Sequence, residues 1–293
     1  PLVAGSVVSL VFAGILARSF SRPIRSLRDA FEALIDGRLD TRIGAAIGKR
    51  DDEFADLGRD FDRMAVRLQT LFETQRTLLH DISHELRSPL ARLQATGDLI
   101  RQQPQRATDL VDRMERDTGR IDRLVGEILM LARVDAGSVT RSTDDVDLCE
   151  VVREVADDAG FEAVAGCTTV IDVSGPIVVL GDRDLLGRAL ENVVRNAIRH
   201  SPAGAAEISI GATSDGALRV ARVTVRDRGP GVDPSELETI FAPFVRRASS
   251  HGPEGYGLGL AITRRVIDAH GGHVFASNHP DGGLLVTVEL PLK

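Results

Sequence analysis

The chain has 293 residues, enough for two or more modules, with 36 Lys and Arg against 43 Asp and Glu, a formal net charge of −7. That balance argues against a general nucleic-acid binder, which presents a basic face, so no nucleic-acid partner is expected. Aromatics make up 4% and Trp is absent, which excludes a base-stacking platform.

The first stretch, PLVAGSVVSLVFAGILA, carries no charge from Pro1 to Ala17, and Arg18, Arg22 and Arg25 follow at once. As a helix at about 1.5 Å per residue it covers roughly 25 Å, just short of a bilayer core of about 30 Å. We therefore expect residues 1–17 to be the end of a transmembrane helix. Its beginning should lie upstream, since the chain opens on Pro rather than Met. The basic flank puts the following chain in the cytoplasm. A signal peptide has the reverse order, basic then apolar then a cleavage site. A buried core helix is the alternative. Cys149 and Cys167 form no C-x-x-C pair and read as small buried hydrophobes in a reducing compartment.

After the apolar run, Ile24, Leu27, Phe31 and Leu34 are spaced three, four and three apart, one seam of a coiled coil, and Pro23 suits its start. GRLDTRIGAAIGKR, with Gly37, Gly44 and Gly48, breaks the pattern as an extended connector. A second seam follows at Phe54, Leu57, Phe61, Met64 and Leu68. Together with the pieces RPI, GRLD, DDEF and FDRMAVRL, this arrangement resembles a HAMP signalling module at 18–70. Ala55 departs from it, standing where Gly is usual.

The seam continues through Phe72, Gln75, Leu79, Ile82, Leu86, Pro89, Leu93, Thr96 and Ile100. Two consecutive steps of four between Met64 and Phe72 make a stutter, which locally unwinds a heptad supercoil. RQQPQ ends this helix at a proline. A second helical pattern runs through Leu110, Met114, Asp117, Ile121, Leu124, Ile128 and Leu131, broken only by Asp117. A hairpin with one apolar seam per helix does not cover itself. A homodimer closing into a four-helix bundle does cover it. This module is expected at 71–138.

HDISHELRSPLARLQ, residues 80–94, raises a chemical question. His84 lies two residues from both Ile82 and Leu86, so it points away from the seam. His80 and His84 have a spacing that zinc sites use, but no Cys, His or carboxylate cluster in the helical region completes such a site. HELRSPL resembles the H box of sensor histidine kinases, and LLHDISHELRSPLARLQ is similar to Cpx-type envelope-stress sensors. The resemblance implies that His84 is the phosphoacceptor. Neutral imidazole is nucleophilic, and its unperturbed pKa near 6.5 leaves much of it neutral in the cytoplasm. Glu85 is placed to orient the ring or accept its proton. Pro89 should kink or loosen the helix. Ser88 stands where the family holds Thr or Asn for removing phosphate from its partner, and a serine can also hold an attacking water.

From Thr143 the texture changes to short strand-like runs alternating with helices, an α/β sandwich at 143–293. The expected strands are VIDV, IVVL, EISIGA, LRVARVTVRD, HVFAS and LLVTVEL, and the expected helices are RDLLGRALENVVRNAIRH and LGLAITRRVIDAH. Three strings resemble the nucleotide boxes of the same superfamily. ENVVRNAIRHS carries Asn192 and Asn196 on one helix face. The resemblance makes Asn196 a Mg2+ ligand with Asn192 assisting, puts Arg199 near the phosphates and puts His200 beside the adenine. In DRGPG, Asp227 would accept the adenine amino group, while Gly229 and Gly231 permit close approach. In GYGLGL, Gly255, Gly257, Gly259 and Leu260 would bring backbone N–H groups around phosphate oxygens at a helix start. FAPFVRR resembles the F box, and residues 232–254 would form a lid with HGPEG as its hinge. A Rossmann reading of the last glycine box fails, because its helix comes late and no βαβ unit precedes it.

The resemblance thus implies a multidomain chain: a transmembrane helix, a HAMP coiled coil, a helical-hairpin dimerisation domain and an α/β sandwich of the histidine-kinase and Hsp90-type ATPase fold. It implies a homodimer in the bacterial inner membrane with its kinase part in the cytoplasm. That enzyme would use ATP and Mg2+ and pass phosphate from His84 to a separate response regulator. The competing readings are a nucleotide-switched, non-catalytic binding module and a phosphatase-dominant sensor.

Overall fold

The structure, a computed structural model, describes residues 5, 9–14, 20–44, 52–135, 144–162, 167–171, 176–201, 206–215, 218–245 and 255–293. The chain divides into two compact units, residues 1–84 and 85–293. Among the described residues no helix is long and apolar enough to cross a membrane. The expected span at 1–17 lies mostly outside them, and residues 9–14 are helical and exposed.

In the first unit, α1 (Arg22–Ile35) begins with Pro in its first turn, where the missing N–H costs nothing. Gly37 turns the chain at φ 82°. The connector is pinned rather than merely extended. The Asp62 carboxylate accepts the backbone N–H groups of Ile43 (2.8 Å) and Gly44 (3.0 Å). Ile43, only 3% exposed, thereby joins Leu27, Ala30, Ala55, Phe61 and Ala65 in one apolar core. The Ala55 departure is accommodated because its methyl belongs to that core. Phe31 meets Phe61 edge to face at 5.0 Å. The seam expected at Ile24, Leu27, Phe31 and Leu34 is split: Leu27 is buried, whereas Ile24 and Phe31 are exposed. Within one chain the small residues Ala30 and Ala33 take the inner positions, because they let the helices approach closely.

α2 (Glu53–Gln102) is one helix of 50 residues. It remains helical through Pro89, the position of the expected kink or loosening. Proline there removes a single bond to the Glu85 carbonyl, and its buried ring packs in the hairpin. A 3-10 turn at Pro104–Arg106 leads to α3 (Ala107–Asp135), which completes the hairpin.

The rest of the second unit is a sheet with helices on one face. Its elements are β1 (Asp145–Asp147), α4 (Leu148–Glu162), β2 (Cys167–Ile171), β3 (Val178–Leu180), α5 (Arg183–His200), β4 (Ala206–Asp215), β5 (Leu218–Arg226), α6 (Gly259–Ala269), β6 (His273–Asn278) and β7 (Leu284–Pro291). The main sheet has the order β2-β4-β5-β7-β6, and β1 pairs with β3 in a small second sheet. Alternation on β5 explains the layering: Ala221, Val223 and Val225 are buried and Arg222 is exposed. Leu186, Val193, Ile262 and Ile267 from α5 and α6 are fully buried in the helix layer. Each such side chain contributes about 1.5–3 kcal/mol by leaving water.

Three expectations are corrected here. α4 was not among the helices read from the sequence, although its apolar residues Leu148, Val151, Val152, Val155 and Ala159 share one face. The strand expected at VIDV begins earlier, at Cys167. β2 and β4 are parallel neighbours with α5 between them, so a βαβ crossover does exist. The glycine box opens α6 rather than α5, so the dinucleotide geometry still does not arise.

Candidate functional site

His84 is exposed on α2, while Ile82 and Leu86 on either side are half-buried. The helical phase thus places the ring outward. The His80 ring meets it edge-on, 4.5 Å away at 64°. Glu85 is half-buried and Ser88 exposed.

Two of the nucleotide boxes, ENVVRNAIRHS and GYGLGL, converge on a cavity of about 200 Å3. Asn192, Asn196, Arg199, Gly255, Gly257, Gly259 and Leu260 all line it. α5 is started by Asp182, whose carboxylate accepts from the N–H groups of Asp184 (2.9 Å) and Leu185 (3.1 Å). That cap, together with buried Leu186, Leu190, Val193 and Val194, fixes the helix phase and turns the two asparagines to the cavity. Gly259 lies against Asn192, where an added Cβ would sit 3.4 Å from its side chain.

One glycine of the loop requires its lack of a side chain. Gly257 has φ 73°, and a Cβ there would press on the Val245 carbonyl. Phe244 donates its N–H to Gly257 O at 2.9 Å and holds φ 61°, uncommon for a bulky residue. The F box and the glycine loop are thus tied together. Residues 246–254, the core of the expected lid, lie outside the described residues, as does all of HGPEG except Gly255.

The cavity is basic. Arg120, Arg123, Arg195 and Arg199 face it with one acid, Glu127. Arg120, Arg123 and Glu127 come from hairpin helix α3, which packs on α6. Sequence reasoning missed all three, because their positions follow no motif. Burial pushes the Glu127 carboxyl up, and Arg199, Arg123 and Arg195 partly offset that. Its Oε2 atom is buried with no hydrogen-bond partner among the described residues. A pocket of this size and charge suits the phosphate end of a nucleotide, since whole small-molecule pockets run to about 300–1,000 Å3.

His200, Asp227, Gly229 and Gly231 do not line this cavity. They form a corner where β5 meets the end of α5. Asp227 is 4% exposed, and its Oδ1 accepts the N–H groups of Gly229 (2.8 Å) and Leu284 (2.9 Å). A Cβ on Gly229 would strike the His200 carbonyl, which explains the glycine.

A second cavity, about 730 Å3, opens between the hairpin and the glycine loop. Glu85, Ser88, Arg92, Asp117, Arg120 and Tyr256 are on its wall. Burial raises the Tyr256 phenol, against a lowering by Arg120 and Arg92. Asp117, the break in the apolar seam, is 3% exposed and lies 3.4 Å from Arg92 and 3.6 Å from Arg120. A charge at a core position of a seam was the sequence feature that could have disclosed this cluster.

The fold and cavity define a class, an α/β nucleotide-binding module docked on a helical hairpin. Comparison with known families and proteins narrows it. Residues 181–293 match the family described as histidine kinase-, DNA gyrase B- and HSP90-like ATPase. Residues 74–137 match the His Kinase A phospho-acceptor domain, and 15–70 match the HAMP domain. The chain is 36% identical to the sensor histidine kinase CpxA of Escherichia coli K12, over 94% of this chain and 60% of that protein. It is 32% identical to the sensor protein CutS of Streptomyces coelicolor, over 99% of this chain and 70% of that one. The solved structure of the Acinetobacter baumannii histidine kinase AdeS superposes with a TM-score of 0.54 at 25% identity, covering 72% of this chain and 98% of that one. The chain belongs to the sensor histidine kinases. It spans about 60% of the length of the CpxA relatives it matches.

Proposed function

We propose that the chain is the membrane-proximal and catalytic part of a homodimeric, ATP-dependent protein histidine kinase. The carrying observation is that Asn192, Asn196, Arg199 and the glycines of GYGLGL meet at one basic cavity. The exposed His84 of the H box supplies the acceptor.

In this reading a neutral His84 ring nitrogen forms a bond to the γ-phosphorus of ATP, and ADP leaves with the bonding electron pair. Glu85 orients the imidazole and receives its proton. Arg199 and the glycine-loop N–H groups neutralise the phosphate oxygens. The amide oxygens of Asn196 and Asn192 are hard neutral donors that would hold Mg2+, which when bound balances the charge of the triphosphate. Asp227 and His200 belong to the adenine end. The phosphoryl group then passes from His84 to an Asp of a separate response regulator, and Ser88 serves the reverse removal of phosphate from that regulator.

The proposal also covers placement. Residues 1–17 would anchor the chain in the inner membrane, residues 18–70 would relay the signal, residues 71–138 would dimerise, and residues 143–293 would bind ATP in the cytoplasm. Exposed Leu79, Leu90, Val125 and Leu129 on the hairpin support dimerisation, since a second hairpin would cover them. The test is labelling with γ-labelled ATP. Wild type should become labelled, His84→Gln should bind nucleotide but take no label, and Asn196→Ala should lose Mg-dependent nucleotide binding. Labelling at a histidine in His84→Gln would refute the assignment. Nucleotide binding with no label in wild type would favour a non-catalytic binding module.

A further inference from the structure

Serine in the middle of a helix is a poorly defined group. It lacks the branched Cβ that fixes χ1 in threonine, and its hydroxyl often turns back to the carbonyl four residues earlier. Ser83 does this, donating to Leu79 O at 2.8 Å. Ser88 does something else. Its Oγ accepts a hydrogen bond of 2.8 Å from Arg92 Nη1.

Arg92 is itself held from the other helix of the hairpin. Its Nε lies 3.4 Å from Oδ1 of Asp117, and Asp117 is buried between Arg92 and Arg120. A buried carboxylate between two guanidiniums stays put, because moving it would leave a charge unpaired in a low dielectric. The planar fork of Arg92 transmits that fixed position to the serine. The bond takes one lone pair of Ser88 Oγ. The other lone pair and the hydroxyl hydrogen are left for a further partner, and Ser88 lies on the wall of the cavity it shares with Glu85, Arg92 and Tyr256.

We propose that Arg92, anchored by Asp117, is a positioning residue that sets the Ser88 hydroxyl for dephosphorylating the regulator. This rests on the reading that Ser88 holds the attacking water. In that step the water oxygen bonds to phosphorus while the acyl-phosphate P–O bond breaks. Its electron pair remains on the regulator's Asp carboxylate. The water proton passes to solvent, and inorganic phosphate is released. Arg92 forms no bond to the reacting atoms.

The probe is whichever response regulator accepts phosphate fastest from the purified chain, charged with acetyl phosphate and freed of excess reagent. Arg92→Met should lower kcat for dephosphorylation by about tenfold with KM for the regulator little changed, as a sub-ångström misplacement would. Ser88→Thr should rescue the Arg92→Met chain, because the branched side chain fixes its own rotamer. Ser88→Ala combined with Arg92→Met should be no slower than Ser88→Ala alone. A structural role for Arg92 predicts neither the rescue nor that equality. Wild-type kcat in Arg92→Met, or a double variant slower than Ser88→Ala, overturns the proposal while leaving Ser88 in its role. Full activity in Ser88→Ala overturns both. If Arg92→Met misfolds, Asp117→Asn reads the same link from its other end, with a loss of kcat that Ser88→Thr restores.

Discussion

Single atoms decide whether the basic cavity accepts a charge. Glu127 puts a carboxylate among Arg123, Arg195 and Arg199, on a wall otherwise suited to anions. Its pKa lies above the ordinary glutamate value mainly because it is buried. The sign follows from linkage. Below the ordinary value both folded and unfolded chains hold the proton, so the contact is fully stable. As pH rises toward the raised folded value, the unfolded chain releases its proton first, and stability is lost. Glu127→Gln removes that loss. Melting midpoints of wild type and Glu127→Gln should coincide near pH 4 and separate above it, with the variant higher. Parallel curves across pH 4–8 would contradict this. Asp227 offers the opposite lesson. Its buried Oδ1 is consumed by two backbone N–H groups, so the residue shapes the β5 corner. The neighbouring Gly283 sits at φ 91° against the Asp227 carbonyl, where no side chain fits.

At the level of elements, the position of α5 matters most, because it delivers Asn192, Asn196 and Arg199 together. Its first turn depends on the Asp182 carboxylate. The Asp182 backbone N–H is separately bound to His270 Nε2 at 3.1 Å, at the far end of α6. His270 Nδ1 lies 2.7 Å from Val266 O and must donate to it, so Nε2 is left as the acceptor. Asp182→Ala keeps the backbone bond and removes only the cap. It should cost about 1 kcal/mol, seen as a melting midpoint lower by about 2–4 °C in a domain of this size. Asp182→Asn should be nearly neutral, since its amide oxygen can cap equally well. Part of this element was legible beforehand, since ENVVRNAIRHS placed both asparagines on one face. The acid and arginines opposite them were not, because Arg120, Arg123 and Glu127 lie on α3, more than sixty residues earlier in the chain.

For the whole molecule, the unbroken α2 is the main feature. It carries the HAMP-like seam, the stutter between Met64 and Phe72, and His84 in one helical segment. Leu71 and Phe72 are both exposed, so either register is open to a partner helix. One residue inserted after Leu71 rotates everything beyond it by about 100° relative to what precedes it. Such an insertion should change the ratio of His84 labelling to regulator dephosphorylation several-fold. Equal ratios in wild type and insertion variant would remove register as the means of control.

Local chemistry was written in the sequence. An apolar period of three and four marks helices whatever they pack against, alternation marks one-sided strands, and glycines and caps act within a few residues. The outward phase of His84 followed from spacing alone, and the structure shows that ring exposed. What folding alone decided was which distant side chains share a space. Ile43 is pinned by Asp62, Asp117 is buried with Arg92 and Arg120, and Glu127 faces the asparagines of α5. Charged residues on a helix look alike in a sequence, because their roles come from burial and from partners that only the packed hairpin brings within reach.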